Sequence, residues 1–144
     1  MSPYYPRYRG LVGRIITAVY TGNVDMLKVL FDCGLLEPTD TFDLTGHDCH
    51  GDTACDNGEC VSLLHIVAQF HTPCADYRDL IDIFVAMGVD INARMPNTPL
   101  EEAIIYNNFA VAKYLKSKGG TYRPEYFAPV PHYLEAFNAY DKAF

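Results

Sequence analysis

Three times along the chain a short apolar run meets a turn. A longer stretch follows, with apolar residues recurring three and four positions apart. The first copy reads Ile15-Ile16-Thr17-Ala18-Val19-Tyr20-Thr21-Gly22, then places Val24, Leu27, Leu30 and Phe31 before Gly34. The second holds Leu64, Ile66, Val67 and Ala68, then Leu80, Ile81, Phe84 and Val85 before Gly88. The third holds Leu100, Ala103, Ile104 and Ile105, then Val111, Tyr114 and Leu115 before Gly119. This spacing predicts amphipathic helices in successive pairs, and hence an all-α fold. Ala18, Ala68 and Ala103 leave room for close helix approach. Gly34, Gly88 and Gly119 stand where a helix end needs a left-handed residue, and Gly22 and Asn107 suit the turn inside a pair. One pair cannot bury its own apolar face, so stacking about three of them is expected to build one continuous core.

Two further stretches give the repeat a more specific character. Ser62-Leu63-Leu64-His65-Ile66-Val67-Ala68 and Thr98-Pro99-Leu100 open the second and third copies, and Gly88-Val89-Asp90-Ile91-Asn92-Ala93 closes the second. This pattern resembles the ankyrin repeat over roughly residues 11–120. The resemblance implies a solenoid of helix-turn-helix units with short β-like fingers. The repeats then lie near 11–36, 61–93 and 94–120, with residues 37–60 as an insertion and the first copy as N-terminal cap. It also implies that the His65 ring hydrogen-bonds to the neighbouring finger. The usual period is about 33 residues, whereas 49 positions separate Ala18 from Val67 and 36 separate Val67 from Ala103. The first excess is the insertion. The second combines a longer loop at Thr72–Asp76 with a shortened finger at Arg94–Asn97. Residues 1–120 are therefore read as the repeat domain and 121–144 as an aromatic-rich C-terminal cap, with an exposed partner-binding peptide as the alternative. In that cap, Pro129 and Pro131 lead into a helix over His132–Lys142 with Leu134, Phe137 and Tyr140 on one face.

Ankyrin stacks usually bind partners on their concave face, so the resemblance implies where binding occurs here. The residues just before each inner turn are the most exposed on that face. In this chain they are Tyr20 and Thr21, Gln69 and Phe70, and Ile105 and Tyr106. A solvated surface is expected to be polar, whereas this one carries aromatic and aliphatic side chains. Such residues mark binding surfaces and dominate interface energetics.

Charge sharpens the expectation. The chain has 144 residues, is 49% hydrophobic and carries a formal net charge of -7. That size and composition fit one globular domain. Residues 37–60 hold seven acidic residues and no Lys or Arg, while the rest of the chain balances 11 acids against 11 bases. A neutral body with one acidic segment disfavours nucleic acid and favours a cationic protein surface or a metal ion. Asp48, Asp52 and Asp56 are accordingly expected at the edge of the partner site. Lys113, Lys116 and Lys118 form the single basic cluster, near a helix C-terminus that already favours cations.

The insertion also carries Cys49, His50, Cys55 and Cys60, donor types that suit zinc at a spacing unlike a familiar knuckle. Zinc, a local disulfide and free thiols all remain open there. The odd count of five cysteines argues against a disulfide framework. Asp56-Asn57-Gly58 reads as a hairpin-tip turn rather than part of a calcium loop.

No run of about 20 apolar residues is present, and the first ten residues do not read as a signal peptide, so the expected location is cytoplasmic. No phosphate loop, nucleophile elbow or paired-histidine metal motif occurs. The expected function is non-catalytic binding of a partner protein by a monomer, as a small inhibitor, immunity protein or effector. The competing expectation is a zinc-stabilised structural or metal-responsive protein acting through residues 47–60.

Overall fold

The computed structural model describes residues 4–43, 60–69 and 77–144. The fold is all-α: helices α1 (Tyr4–Thr21), α2 (Val24–Asp32), α3 (Leu63–Gln69), α4 (Tyr77–Met87), α5 (Pro99–Ile105), α6 (Phe109–Ser117) and α7 (Pro131–Ala143), with a 3-10 turn at Pro124–Phe127. One short antiparallel pairing, β1 (Phe42–Asp43) with β2 (Cys60–Val61), sets Phe42 opposite Val61. Packing follows sequence order. α1, α3 and α5 touch in succession along one row, and α2, α4 and α6 along a second. Each helix also touches its partner across the pair.

The turns explain why the chain repeats this hairpin. Gly22, Gly34, Gly88 and Gly119 all have positive φ, between 70° and 101°, and Asn107 stands at 58°. At each of the five the same two bonds close the helix. One example is Gly34 N–H to Phe31 O at 3.2 Å with Leu35 N–H to Leu30 O at 3.0 Å; another is Asn107 N–H to Ile104 O at 3.1 Å with Asn108 N–H to Ala103 O at 2.8 Å. Orphan carbonyls at the helix end are thereby satisfied. Asparagine serves in place of glycine at 107 because its short polar side chain tolerates the left-handed region.

The core is continuous from Ile15 and Val19 through Leu27, Leu64, Leu80 and Phe84 to Leu100, Ile104, Val111 and Leu115. Burying each such side chain contributes about 1.5–3 kcal/mol. The Phe31 and Phe84 rings meet edge-on at 6.3 Å between the first and second hairpins. In the middle hairpin every residue from Leu63 to Ala68 is buried, and so is Ile83, which the expected stripe omits. A helix with neighbours on both sides needs a wider apolar arc than a terminal one.

Two helices extend beyond the sequence reading. Helix α1 begins at Tyr4, ahead of the first repeat's expected start near residue 11; Pro6 falls in its first turn, where a missing N–H costs nothing. Within the stretch read as the acidic insertion, Phe42 is buried in the core and β1 pairs with β2, and Leu36 and Val61 on either side of that stretch are buried too. The last helix runs from Pro131 to Ala143, one residue longer at each end than expected.

Residues 121–144 pack on the third hairpin. Helix α7 touches both α5 and α6, and Phe127 and Phe137 are buried. The Phe109 ring lies 6.0 Å from Phe137 and 5.7 Å from Tyr140. Leu134 and Tyr133 are partly buried against the same core.

Candidate functional site

Two buried polar side chains wire successive units together. At the start of α3, the Ser62 hydroxyl lies 2.6 Å from His65 Nδ1, while His65 Nε2 lies 2.6 Å from the Asn97 carbonyl oxygen in the next unit. A carbonyl only accepts, so Nε2 carries the proton and Nδ1 accepts from the hydroxyl. The ring is fully buried. Burial pushes the imidazole below its ordinary value, against smaller upward pulls from the Asn97 carbonyl and Glu102. Below pH about 6.5 the unfolded chain therefore takes up a proton that the folded ring refuses. Stability is full above that pH and falls as pH drops beneath it. Unfolding free energies of wild type and His65→Asn, measured between pH 5 and 7, are expected to differ in slope. The wild type alone carries a term for this proton, of at most about 1.4 kcal/mol per pH unit. Equal slopes would contradict a buried neutral His65.

Thr98 and Glu101 repeat the arrangement one unit later. The Thr98 hydroxyl accepts from Glu101 N–H at 3.2 Å, and Glu101 Oε1 accepts from Thr98 N–H at 2.8 Å, a capping box at the start of α5. Glu101 stands where His65 stands, three residues after the capping hydroxyl, but reaches a different neighbour. Its Oε2 accepts from Arg123 N–H at 2.8 Å and Arg123 Nε–H at 2.9 Å, and its Oε1 from Arg123 Nη2 at 3.0 Å. Burial raises the Glu101 carboxyl, yet hydrogen bonds from the Arg123 side chain and from the Thr98 and Arg123 backbones outweigh it and hold the group below its ordinary value. Asn92 completes the junction: its Oδ1 accepts from Thr121 N–H at 2.8 Å and its Nδ2 donates to the Gly119 carbonyl at 3.2 Å.

The ends of α1, α3 and α5 carry the residues expected to meet a partner. Tyr20 is 61% exposed and Tyr106 39% exposed. Thr21 is exposed and turns its hydroxyl back to the Thr17 carbonyl at 2.8 Å. Ile105 is partly buried and packs on the core, so it gives less free surface than its position implies. Gln69 is half-buried and donates from Nε2 to Glu102 Oε2 at 3.2 Å. Glu102 also accepts on Oε1 from Asn97 Nδ2 at 2.7 Å and is only 8% exposed. Burial first, and then Glu102, pushes the Tyr106 phenol up. Sequence reasoning missed Glu101, Glu102 and Asn97. Two acids after Thr98-Pro99 look like ordinary favourable charge at a helix start.

The second row presents different chemistry. Arg78 lies 5.7 Å from the centre of the Tyr77 ring and 5.8 Å from that of Tyr114, and Lys118 lies 5.3 Å from Tyr114. The Tyr114 hydroxyl donates to Asp82 at 2.7 Å, and Lys118 pairs with the same carboxylate at 3.3 Å. Lys116 pairs with Asp141 at 2.7 Å. The basic cluster seen in the sequence is thus engaged with carboxylates of α4 and α7.

Of the expected zinc donors, Cys60 lies in β2, where its residue pairs with Asp43. Cys49, His50 and Cys55 lie outside the described residues, as do Asp48, Asp52, Asp56 and Phe70. Among the described residues, no helix is long and apolar enough to cross a membrane. No family model, curated protein or solved structure matches this chain.

Proposed function

We propose that this chain is a short ankyrin-type stack that captures a partner protein on the face formed by the ends of α1, α3 and α5, and acts by occupying that partner rather than by turnover. The ankyrin reading is supported by the successive packing of three hairpins, the shared left-handed helix ends and the His65 bridge to the next unit. The observation that carries the binding face is the exposure of Tyr20 and Tyr106 at equivalent helix ends. Aromatic side chains displayed in this way supply large contact area at low conformational cost. The buried polar groups His65 and Glu101 are consumed by junction hydrogen bonds, which supports a scaffold role for them rather than a chemical one.

The acidic segment after β1 favours a cationic partner surface and speeds the encounter with it. A small inhibitor, immunity protein or effector fits this reading, since each acts by docking on another protein.

Affinity capture from native cells, with bound protein identified by mass spectrometry, tests the proposal. The Tyr20→Ala/Tyr106→Ala double variant is expected to remain folded, as its far-UV circular dichroism would show. It is also expected to weaken binding of the captured partner by about 100-fold or more, since two aromatic anchors are removed. Undiminished binding by that variant would remove the face from consideration.

A further inference from the structure

We propose that the outer face of the first hairpin is a self-association surface, on which a second copy of this chain stacks about a two-fold axis. The inference rests on how the hairpins pack and is independent of the binding face proposed above.

The register of the second row of helices carries it. Counted back from the left-handed glycines Gly34, Gly88 and Gly119, Met26 and Val29 of α2 match Leu80 and Ile83 of α4, and Val111 and Tyr114 of α6. Tyr114 shows what this position does. Its ring meets that of Tyr77 edge-on at 6.2 Å and its hydroxyl donates to Asp82 at 2.7 Å, both on the preceding helix α4. Leu80, Ile83 and Val111 are buried. Among the described residues no helix precedes α2 in its row, and there Met26 is 41% and Val29 60% exposed. Cys33, on the same stripe, is exposed as well. Phe31 faces the other way and meets Phe84 of α4. Helix α2 thus has two apolar faces, one stacked and one open. A terminal unit that only shields a stack carries a polar outer face instead.

The far end of the stack decides what covers this face. Helix α7 packs there on α5 and α6. A second copy therefore cannot add head to tail and can offer only its own first hairpin. Pairing like with like is isologous and stops at two copies. Charge fits that pairing. Arg14 of α1 falls where Leu63 and Pro99 fall in α3 and α5, and both of those are buried. Asp25 and Asp32 flank Val29 on α2, four residues before it and three after. No ion pair involves these three among the described residues. A two-fold axis parallel to the helices lays α1 of each copy over α2 of the other, which brings Arg14 toward the two aspartates twice. Helices α1 and α2 hold 18 and 9 residues. At about 1.5 Å of rise per residue and about 10 Å of width they present roughly 400 Å² per copy. That area lies at the small end of specific interfaces, so the dimer is a weak one, with a dissociation constant of about 10–100 μM.

Sedimentation equilibrium of the full chain, from about 5 to 500 μM, brackets that constant and tests the proposal. The apparent mass is expected to climb from one chain toward two and no further. Amide shifts followed over the same dilution are expected to move at Met26, Val29 and Cys33 and to stay fixed at Phe137. Val29→Glu is expected to weaken association by about 100-fold or more, since a two-fold contact buries the added charge twice. It should remain folded by far-UV circular dichroism, because the side chain it replaces is exposed. Arg14→Glu is expected to weaken association by about tenfold, and Asp25→Lys with Asp32→Lys on the same chain to recover it. A single-chain mass throughout, growth beyond two copies, undiminished association by Val29→Glu, no recovery by the charge exchange, or shifts confined to α7 would each overturn the dimer. The dilution shifts use wild type alone, so they decide the matter even where a variant fails to fold. A wild-type chain that stays single, while a protein captured from native cells is lost on Val29→Glu, would overturn it too and give the face to that protein.

Discussion

Glu101→Ala is expected to cost about 2–4 kcal/mol of folding stability and to loosen residues 121–144 selectively. The carboxylate accepts four hydrogen bonds, two of them from the backbone N–H groups of Thr98 and Arg123. Thr98 is 2% exposed, so its N–H finds no ready replacement in water. Each buried donor left unmade costs about 1–3 kcal/mol, and the lost capping box falls within the same range. Arg123 rehydrates more easily, which keeps the total below that of a fully buried ion pair with one partner removed. Urea unfolding measures the loss. Hydrogen exchange locates it, with amides after Thr121 exchanging faster than those of α3 and α4. Because the folded Glu101 carboxyl is held below its ordinary value, its contribution is complete above pH about 4.5 and disappears as pH falls through the lower folded value. Wild type should therefore lose its advantage over Glu101→Ala on acidification. Unchanged protection after Thr121 in the variant would count against the latch.

The paired arrangement of His65 and Glu101 gives this latch its sense. Each follows a capping hydroxyl by three residues and reaches across to the segment that comes next. His65 donates to a carbonyl of the following hairpin, whereas Glu101 accepts from a backbone N–H and a guanidinium. The exchange of donor for acceptor occurs where helical repeats give way to the aromatic segment. A histidine at position 101 would face the Arg123 N–H and guanidinium with no acceptor to spare for both. The identity of that one side chain thus agrees with the register of the segment docked on it.

Much of the fold was legible because the signals that specify it are local. Gly34, Gly88, Gly119, Gly22 and Asn107 all adopt the left-handed conformation that their positions imply. The stripes Leu27–Leu30, Leu80–Phe84 and Val111–Leu115 face the core as the three-and-four spacing requires. His65 makes the bridge that the resemblance implies. Phe42 was hidden because it sits inside a polar, acidic stretch whose composition masks a single core residue. Ile83 was missed because a helix pattern read alone does not report how many neighbours the helix will have. At the candidate face, exposure at Tyr20 and Tyr106 followed from their places before the turns, while the roles of Glu101 and Glu102 did not. Those roles depend on Arg123, 22 residues away, and on Gln69, 33 residues away, which only the assembled stack brings near.

Phe137→Ala is expected to destabilise by about 3–5 kcal/mol, the range for removing a fully buried phenylalanine. For a chain of this length that corresponds to a fall of about 10 °C in melting temperature. Phe137 is completely buried between α7 and the third hairpin, with Phe109 at 6.0 Å, and it is the one residue of α7 that is fully buried. A segment held ready for a partner would place such a ring in solvent, and its truncation would leave stability unchanged. A segment shielding the open face of α5 and α6 loses its main anchor instead, since Lys113, Lys116 and Asp141 lie near the surface and exposed ion pairs contribute little. Phe137 and Glu101 also hold the same segment from opposite ends. Once either is gone, part of what the other secures is already lost, so the double variant should be less destabilised than the two single losses added together. Strict additivity would mean that the Arg123 latch and helix α7 dock independently, and a wild-type melting temperature for Phe137→Ala would mean that α7 does not shield the stack.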